Sequence, residues 1–388
     1  MEKKKVLFLG IMHFFLDSYM GFFPVYLVIA RLDPTKAALI ITATSFAGNI
    51  LQPFMGYTAD RMRGKLPLFL GMIITSISMS MLGLSVHYTV LFFLVLFGRL
   101  GSSIFHPAGA HISSAVGAAK RDASFAIFIT IGTIGFAVSQ PLFSAFTHRF
   151  GTARSFILAI PTVLLAFSYL LFSNIKINSQ EESLPFKKLK QLLFRHFRPI
   201  LLLFLTMVFR TAFICSMNSF LAKTFEEWGF RRHIYSSANT VFMLSGAGGI
   251  LAAGFMVTYF KPRKLLFLSL TGFFPFFLLF IYFGNLGKVL FTFIFLALSG
   301  FILHGGYGTN IVMGHRIAPE MMSTISGILM GFAWAAASFG PILCVLTSGT
   351  FPKIGNLTSG LLILSIFPLV ASVLSLYISK ELDGQSVY

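Results

Sequence analysis

The chain has 388 residues, 56% hydrophobic and only 11% charged, where a soluble protein carries about 25% charged residues. A soluble fold of this length would lack polar side chains to cover its surface, which excludes an ordinary soluble enzyme or binding module. The formal net charge of +18 raises nucleic acid as a partner, and the placement of the charges has to decide.

In chain order, the apolar runs that reach the roughly 18 residues needed to cross a bilayer as a helix fall at 6–30, 37–58, 66–86, 89–113, 124–146, 153–174, 199–222, 235–260, 265–284, 288–312, 323–348 and 356–379. These twelve spans predict an all-α membrane protein. The first, "VLFLGIMHFFLDSYMGFFPVYLVIA" behind "MEKKK", outruns the apolar core of a secretory signal and carries His13 and Asp17. It therefore reads as a retained span. Both cysteines, Cys215 and Cys344, fall inside spans, so no disulfide framework is implied.

Between the sixth and seventh spans lies the longest polar stretch, "NIKINSQEESLPFKKLKQLLFRHFR" at 174–198. Its second part places Phe186, Leu189, Leu193 and Phe197 on one helical face with basic residues opposite, the pattern of a helix lying on an anionic inner leaflet. The expected organisation is a six-helix half over 1–174, a cytoplasmic central loop with this amphipathic helix over 175–198, and a second six-helix half over 199–388. With the N-terminus inside, 19 of the 30 lysines and arginines lie on the inner side, nine on the outer side, and Arg99 and Arg210 within spans. This is the positive-inside pattern of a multi-pass protein of the cell inner (plasma) membrane with both termini cytoplasmic. The charge is topology, and no nucleic-acid partner is implied.

The halves repeat at an offset of 200. Gly48, Ile50, Leu51, Thr58 and Arg63 recur as Gly248, Ile250, Leu251, Thr258 and Arg263, and Pro141 recurs as Pro341. Duplicated six-helix halves predict two pseudo-symmetric bundles and a transporter whose substrate site lies near the midplane.

At this point the chain resembles a known family. "GYTADRMRGK" at 56–65 is similar to the loop between helices 2 and 3 of the major facilitator superfamily. "HFFLD" (13–17), "LQPFMGY" (51–57), "GSSIFHPAG" (101–109) and "SGILMGFAWAAASFGP" (326–341) resemble the fosmidomycin resistance family within it. The sequence departs from that pattern at Ala108 and His111, where an acidic and a basic residue are expected, and at Arg99, where a small one is. The resemblance implies the major facilitator fold, with helices 1, 4, 7 and 10 lining a central cavity. It also implies a conformational latch at the loop residues Gly56, Asp60, Arg61, Arg63 and Lys65. In the second half Phe260 stands where Asp60 does, so such a latch is one-sided.

Counting ~1.5 Å per residue along each helix, Asp17, Arg99 and Arg210 sit about eleven residues into spans 1, 4 and 7, and His304 about sixteen into span 10. An ionised group facing lipid is costly, so these residues face protein or water. Asp17 is read either as a fixed counter-ion for Arg99 or as a protonation site that could exchange a proton with His13, one turn away on the same face, and His106, beside Pro107, is a candidate for gating or proton transfer. His106 is open to a second reading, as a packed side chain bonded to a neighbouring carbonyl. Arg99, Arg210, His304 and Asp17 are the candidate substrate residues. With histidines neutral the core sums to +1, and to +2 once Asp17 is protonated, a sign that favours an anionic small molecule.

Ser102 and His106 share a helix face, which raises an intramembrane hydrolase, but no oriented base and oxyanion site accompany them. No phosphate-cradling loop and no metal-ligand spacing occur, so neither ATP-driven pumping, a cofactor nor a metal is implied. The reading is a proton-coupled secondary transporter, not an enzyme: an exporter (antiporter) of a drug-like or metabolite molecule by alternating access. It would act as a monomer whose only other partners are protons and membrane lipid. Proton-coupled uptake of a small organic anion, and a non-transporting receptor on a transporter fold, are the alternatives.

Overall fold

The computed structural model describes residues 2–61, 65–116, 121–172, 186–256, 259–317, 325 and 327–378, and every regular element among them is helical. An apolar chain in hydrocarbon must satisfy its backbone internally, and the helix does so segment by segment. Among the described residues, eleven helices are long and apolar enough to cross a membrane. The expected second span, 37–58, is a 28-residue helix, α3 (Pro34–Arg61). The side chains at 53 and 55–61 of α3 lie outside the described residues, so α3 stands apart from the eleven.

By its contacts the chain divides into two compact units, Met1–Gln180 with Asn218–Glu226 and Phe230–Met243, and Glu181–Met217 with Glu227–Gly229 and Leu244–Tyr388. In the first unit, α1 (Glu2–Asp17) and α2 (Phe22–Ile29) are two pieces of one span. The turn between them keeps short-range bonds, Tyr19 N–H to Leu16 O (3.3 Å), Met20 N–H to Asp17 O (3.0 Å) and Phe22 N–H to Tyr19 O (3.1 Å). The break therefore falls directly after Asp17.

The first unit continues with α4 (Leu66–Ser80), α5 (Tyr88–Val116), α6 (Arg121–Phe150) and α7 (Ala159–Phe172). Helix α1 packs on α6, and α5 packs on both α3 and α4. Leu9, Met12, Leu16, Met72, Phe105 and Phe128 form one buried cluster where α1, α4, α5 and α6 meet. Pro107 and Pro141 lie inside α5 and α6 without ending them. At the far end of α6, Arg232 donates to Ser144 O (2.9 Å), Ser144 Oγ (3.0 Å) and Thr147 Oγ1 (2.7 Å).

The amphipathic stretch forms α8 (Phe186–Arg195), but α9 (Phe197–Glu227) begins two residues later. Phe197 thus belongs to the spanning helix, not to the surface one as the periodicity predicts. Pro199 fits the first turn of α9, where its missing N–H leaves no bond unmade. Beyond α10 (Arg232–Met256), the second unit packs α11 (Pro262–Asn285) against α12 (Val289–Ile317) and the helix Ile366–Leu376. A π-helical turn, Gly327–Phe332, opens the eleventh expected span, an irregularity common at functional sites.

Candidate functional site: two buried clusters

Among the described residues, the first unit holds a half-buried cluster of charged and titratable side chains within its helices, and the second unit a buried one. In the first, His13 and Asp17 are one turn apart on α1, with His13 Nε2 3.1 Å from Asp17 Oδ2. His106 arrives from α5, its Nε2 3.2 Å from Asp17 Oδ1 and 3.1 Å from His13 Nε2. The far nitrogen of each ring is committed elsewhere. His13 Nδ1 is 2.9 Å from Phe128 O, and His106 Nδ1 is 2.8 Å from Ser102 O. A carbonyl only accepts, so both Nδ1 atoms carry the proton and both neutral rings present a lone pair at Nε2.

Two lone pairs and a carboxylate therefore converge on one small volume. With no added proton they repel, because each is an acceptor. One proton gives a single imidazolium against Asp17, with a local sum of zero. Two protons give each histidine its own carboxylate oxygen and a sum of +1. The same three groups lie within 4.8 Å of one another, close enough to surround a cation. Packing fixes the arrangement: His13 stacks on Phe128, centroids 4.1 Å apart. Gly132 on α6 leaves room for the ring, since a Cβ there would come within 2.4 Å of His13 Cε1.

The partners the structure gives Asp17 are thus the two histidines, which corrects the reading of Asp17 as a fixed counter-ion for Arg99. Arg99 is half-buried on α5, packed against Gly48 of α3 and within electrostatic reach of His106. His106 meets both of its readings, since it bonds the carbonyl one turn back and also reaches Asp17. Ser102 Oγ does lie 3.0 Å from His106 Nδ1. That nitrogen donates its proton to a carbonyl, so it cannot serve as base toward Ser102, and the geometry disfavours the hydrolase.

In the second unit, Arg210 on α9 is 1% exposed. Its Nε donates to Leu303 O (3.2 Å), and its guanidinium carbon lies 5.2 Å from the centre of the Tyr307 ring. Among the described residues it has no carboxylate partner. His304 is also buried; its Nδ1 donates to Gly300 O at 2.8 Å, which leaves Nε2 as an acceptor. Gly246 makes room for that ring as Gly132 does for His13, with an added Cβ 2.6 Å from the imidazole. Sequence reasoning found Arg210 and His304 but missed Tyr307, whose aromatic face is a signal only once α9 and α12 are known to pack.

The latch residues divide. Gly56, Asp60 and Arg61 lie on α3, but their side chains are outside the described residues, and Arg63 lies outside them altogether. Lys65 donates to Leu170 O on α7 (2.9 Å), a bond within the first unit. His111 also has a side chain outside the described residues.

A helical chain with eleven candidate membrane spans among its described residues and charged groups within those spans has the features of a membrane transporter. The chain belongs to the Major Facilitator Superfamily, whose sequence profile matches residues 6–341. It is 23% identical over 359 residues to an uncharacterised transporter of this superfamily, YfnC of Bacillus subtilis (strain 168), covering 87% of this chain and 84% of that one. It is 22% identical over 314 residues to the fosmidomycin resistance protein of Escherichia coli (strain K12), covering 79% and 75%. In structure it is similar to a variant of the nucleoside transporter NupG, with TM-score 0.80, 15% identity and coverage of 98% and 100%. It is also similar to a bacterial homologue of the human lysosomal transporter Spinster in an inward-facing, unoccupied conformation, with TM-score 0.78, 14% identity and coverage of 100% and 99%. Family and fold point to a secondary transporter of a small molecule rather than an enzyme.

Proposed function

We propose that this protein is a proton-coupled transporter of a small organic anion, working by alternating access as an exporter in antiport with protons. The observation that carries the proposal is the convergence of His13 Nε2, His106 Nε2 and Asp17 on one volume. Such a group takes up one or two protons with little rearrangement, because both rings are already held by their Nδ1 bonds. The buried Arg210, which lacks a carboxylate partner among the described residues, supplies the anion preference. A buried guanidinium is stable only when an anion or a set of good acceptors compensates it, and a carboxylate, phosphate or phosphonate suits its planar fork. Arg99, His304 and Asp17 complete the proposed substrate residues. The similarity to a fosmidomycin resistance protein supports export of a drug-like or metabolite molecule.

The positive-inside bias supports a place in the cell inner membrane with both termini in the cytoplasm. One chain carries both halves, so a monomer suffices for the cycle. The Gly56–Lys65 loop is proposed as the latch of one conformation.

The test is reconstitution into proteoliposomes with an imposed pH gradient, after a thermal-shift screen of anionic and neutral candidates. An anion accumulated at the expense of the gradient, with stoichiometric proton movement, is the expected result. Flux indifferent to the gradient would remove the coupling. Tight, saturable transport of a permanent cation would remove the anion preference.

A further inference from the structure

Helices α9 and α11 are separated by the single crossing α10, so both begin at the same end of the second unit. A cavity of about 290 Å³ opens at the start of α11, lined by Lys261, Arg263, Lys264, Phe267 and Leu376. Among the described residues, its wall is three cations and two apolar side chains, with no carboxylate. Arg263 is already part of the structure: its Nη1 donates to Leu376 O (3.4 Å) and Ile378 O (3.3 Å). It thereby closes the C-terminal end of the helix Ile366–Leu376, whose last carbonyls have no intrahelical donors. Lys261 and Lys264 are exposed on either side of it.

The position of this cavity selects its ligand. The apolar span of α11 starts at Pro262, so the lysines flank its first turn, at the depth where phospholipid headgroups lie. Phe267 sits one turn further into the span, and Leu376 is the last residue of its helix. A headgroup phosphate would meet the cations while an acyl chain follows Phe267 and Leu376 toward the bilayer centre. A free phosphate would use the cations alone and leave the apolar wall uncovered. A second cavity, about 350 Å³, has a different balance: among the described residues Lys190 is its one cation, and Leu193, Phe194, Phe197 and Ile200 are among its apolar walls.

We propose that the Lys261–Arg263–Lys264 cavity binds the headgroup of an anionic phospholipid, which ties the start of α11 to the end of the last helix. The phosphate lies between the two lysine ammonium groups, and Arg263 holds the floor beneath it. The site is separate from the transport clusters and does not depend on what they carry.

The experiment uses the full-length protein in nanodiscs of phosphatidylcholine with rising phosphatidylglycerol, read by native mass spectrometry and thermal unfolding. Phosphatidylglycerol should remain bound on the wild type and raise its Tm. Lys261→Gln/Lys264→Gln, which keeps Arg263 and changes only exposed side chains, should cut lipid retention at least tenfold and abolish the Tm shift. Lys190→Gln should leave both unchanged. Equal retention by the double variant would overturn the site. So would an equal loss in Lys190→Gln, which would mean diffuse surface attraction, or an equal Tm shift with soluble glycerol phosphate.

Discussion

The α1–α5 cluster and the α9–α12 cluster share a construction and differ in charge. Each has a histidine whose Nδ1 proton is donated to the carbonyl four residues back, His106 to Ser102 and His304 to Gly300. Each has an imidazole seated on a glycine of a neighbouring helix, His13 on Gly132 and His304 on Gly246. Into this common frame the first cluster brings a carboxylate, Asp17, and the second a guanidinium, Arg210. The first lacks a full positive complement and the second has no carboxylate partner among the described residues. On the proposed function, the first would take the proton and the second the anion.

The largest effect is expected where the carboxylate is removed. Asp17→Asn should reduce gradient-driven accumulation at least about tenfold while leaving substrate exchange partly intact, as measured in proteoliposomes with and without a pH gradient. Wild-type accumulation in this variant would end the role of the first cluster. Arg210→Ala should weaken binding of an anionic substrate by at least about 2 kcal/mol, the loss typical of truncating one partner of a buried charge pair. Arg210→Lys should recover part of it, because charge returns without the planar fork. Calorimetric affinities that are equal for all three proteins would dissolve the contrast between the clusters. Arg99→Ala should cost less, about 1 kcal/mol, since Arg99 is half-buried and screening weakens its reach.

Gly132→Ala tests the seat of His13 and not its charge. The added methyl must displace the ring, so thermal stability should fall by about 1–3 kcal/mol, as overpacking does. Proton movement per substrate should fall with it. The smallest effect is expected at the loop: Asp60→Ala should raise the accessibility of engineered cysteines at the inner mouth without changing affinity. Unchanged accessibility would leave Asp60 an ordinary loop charge.

The spans were legible because hydrocarbon forces apolar runs into helices whatever their neighbours. His13 and Asp17 were legible as a pair, since four residues on a helix place side chains on one face. That His106 would join them, rather than Arg99, was not. The spacing placed both near mid-span, and only the rotation of α5 about its own axis decides which one faces α1. Tyr307 and the carbonyls of Phe128 and Leu303 were invisible for a related reason: a ring face or a backbone oxygen becomes a partner only after helices pack. The break after Asp17 left only the faint mark of Gly21, and the bonds of Arg232 to Ser144 and Thr147 join residues more than eighty positions apart.

On the proposed coupling, the interruption between α1 and α2 would give protonation of the His13–Asp17–His106 cluster a mechanical meaning. Asp17 is the last residue of α1, at the end where aligned peptide dipoles gather about half a negative charge. A carboxylate there opposes the dipole, whereas imidazolium rings at the same place agree with it. Each proton taken up by the cluster would therefore firm the last turn of α1, and each one released would loosen it. The joint that carries the eight residues of α2 would stiffen and slacken with the proton count. Amide hydrogen exchange at Tyr19, Met20 and Gly21 should slow as the pH falls by more than base catalysis alone accounts for.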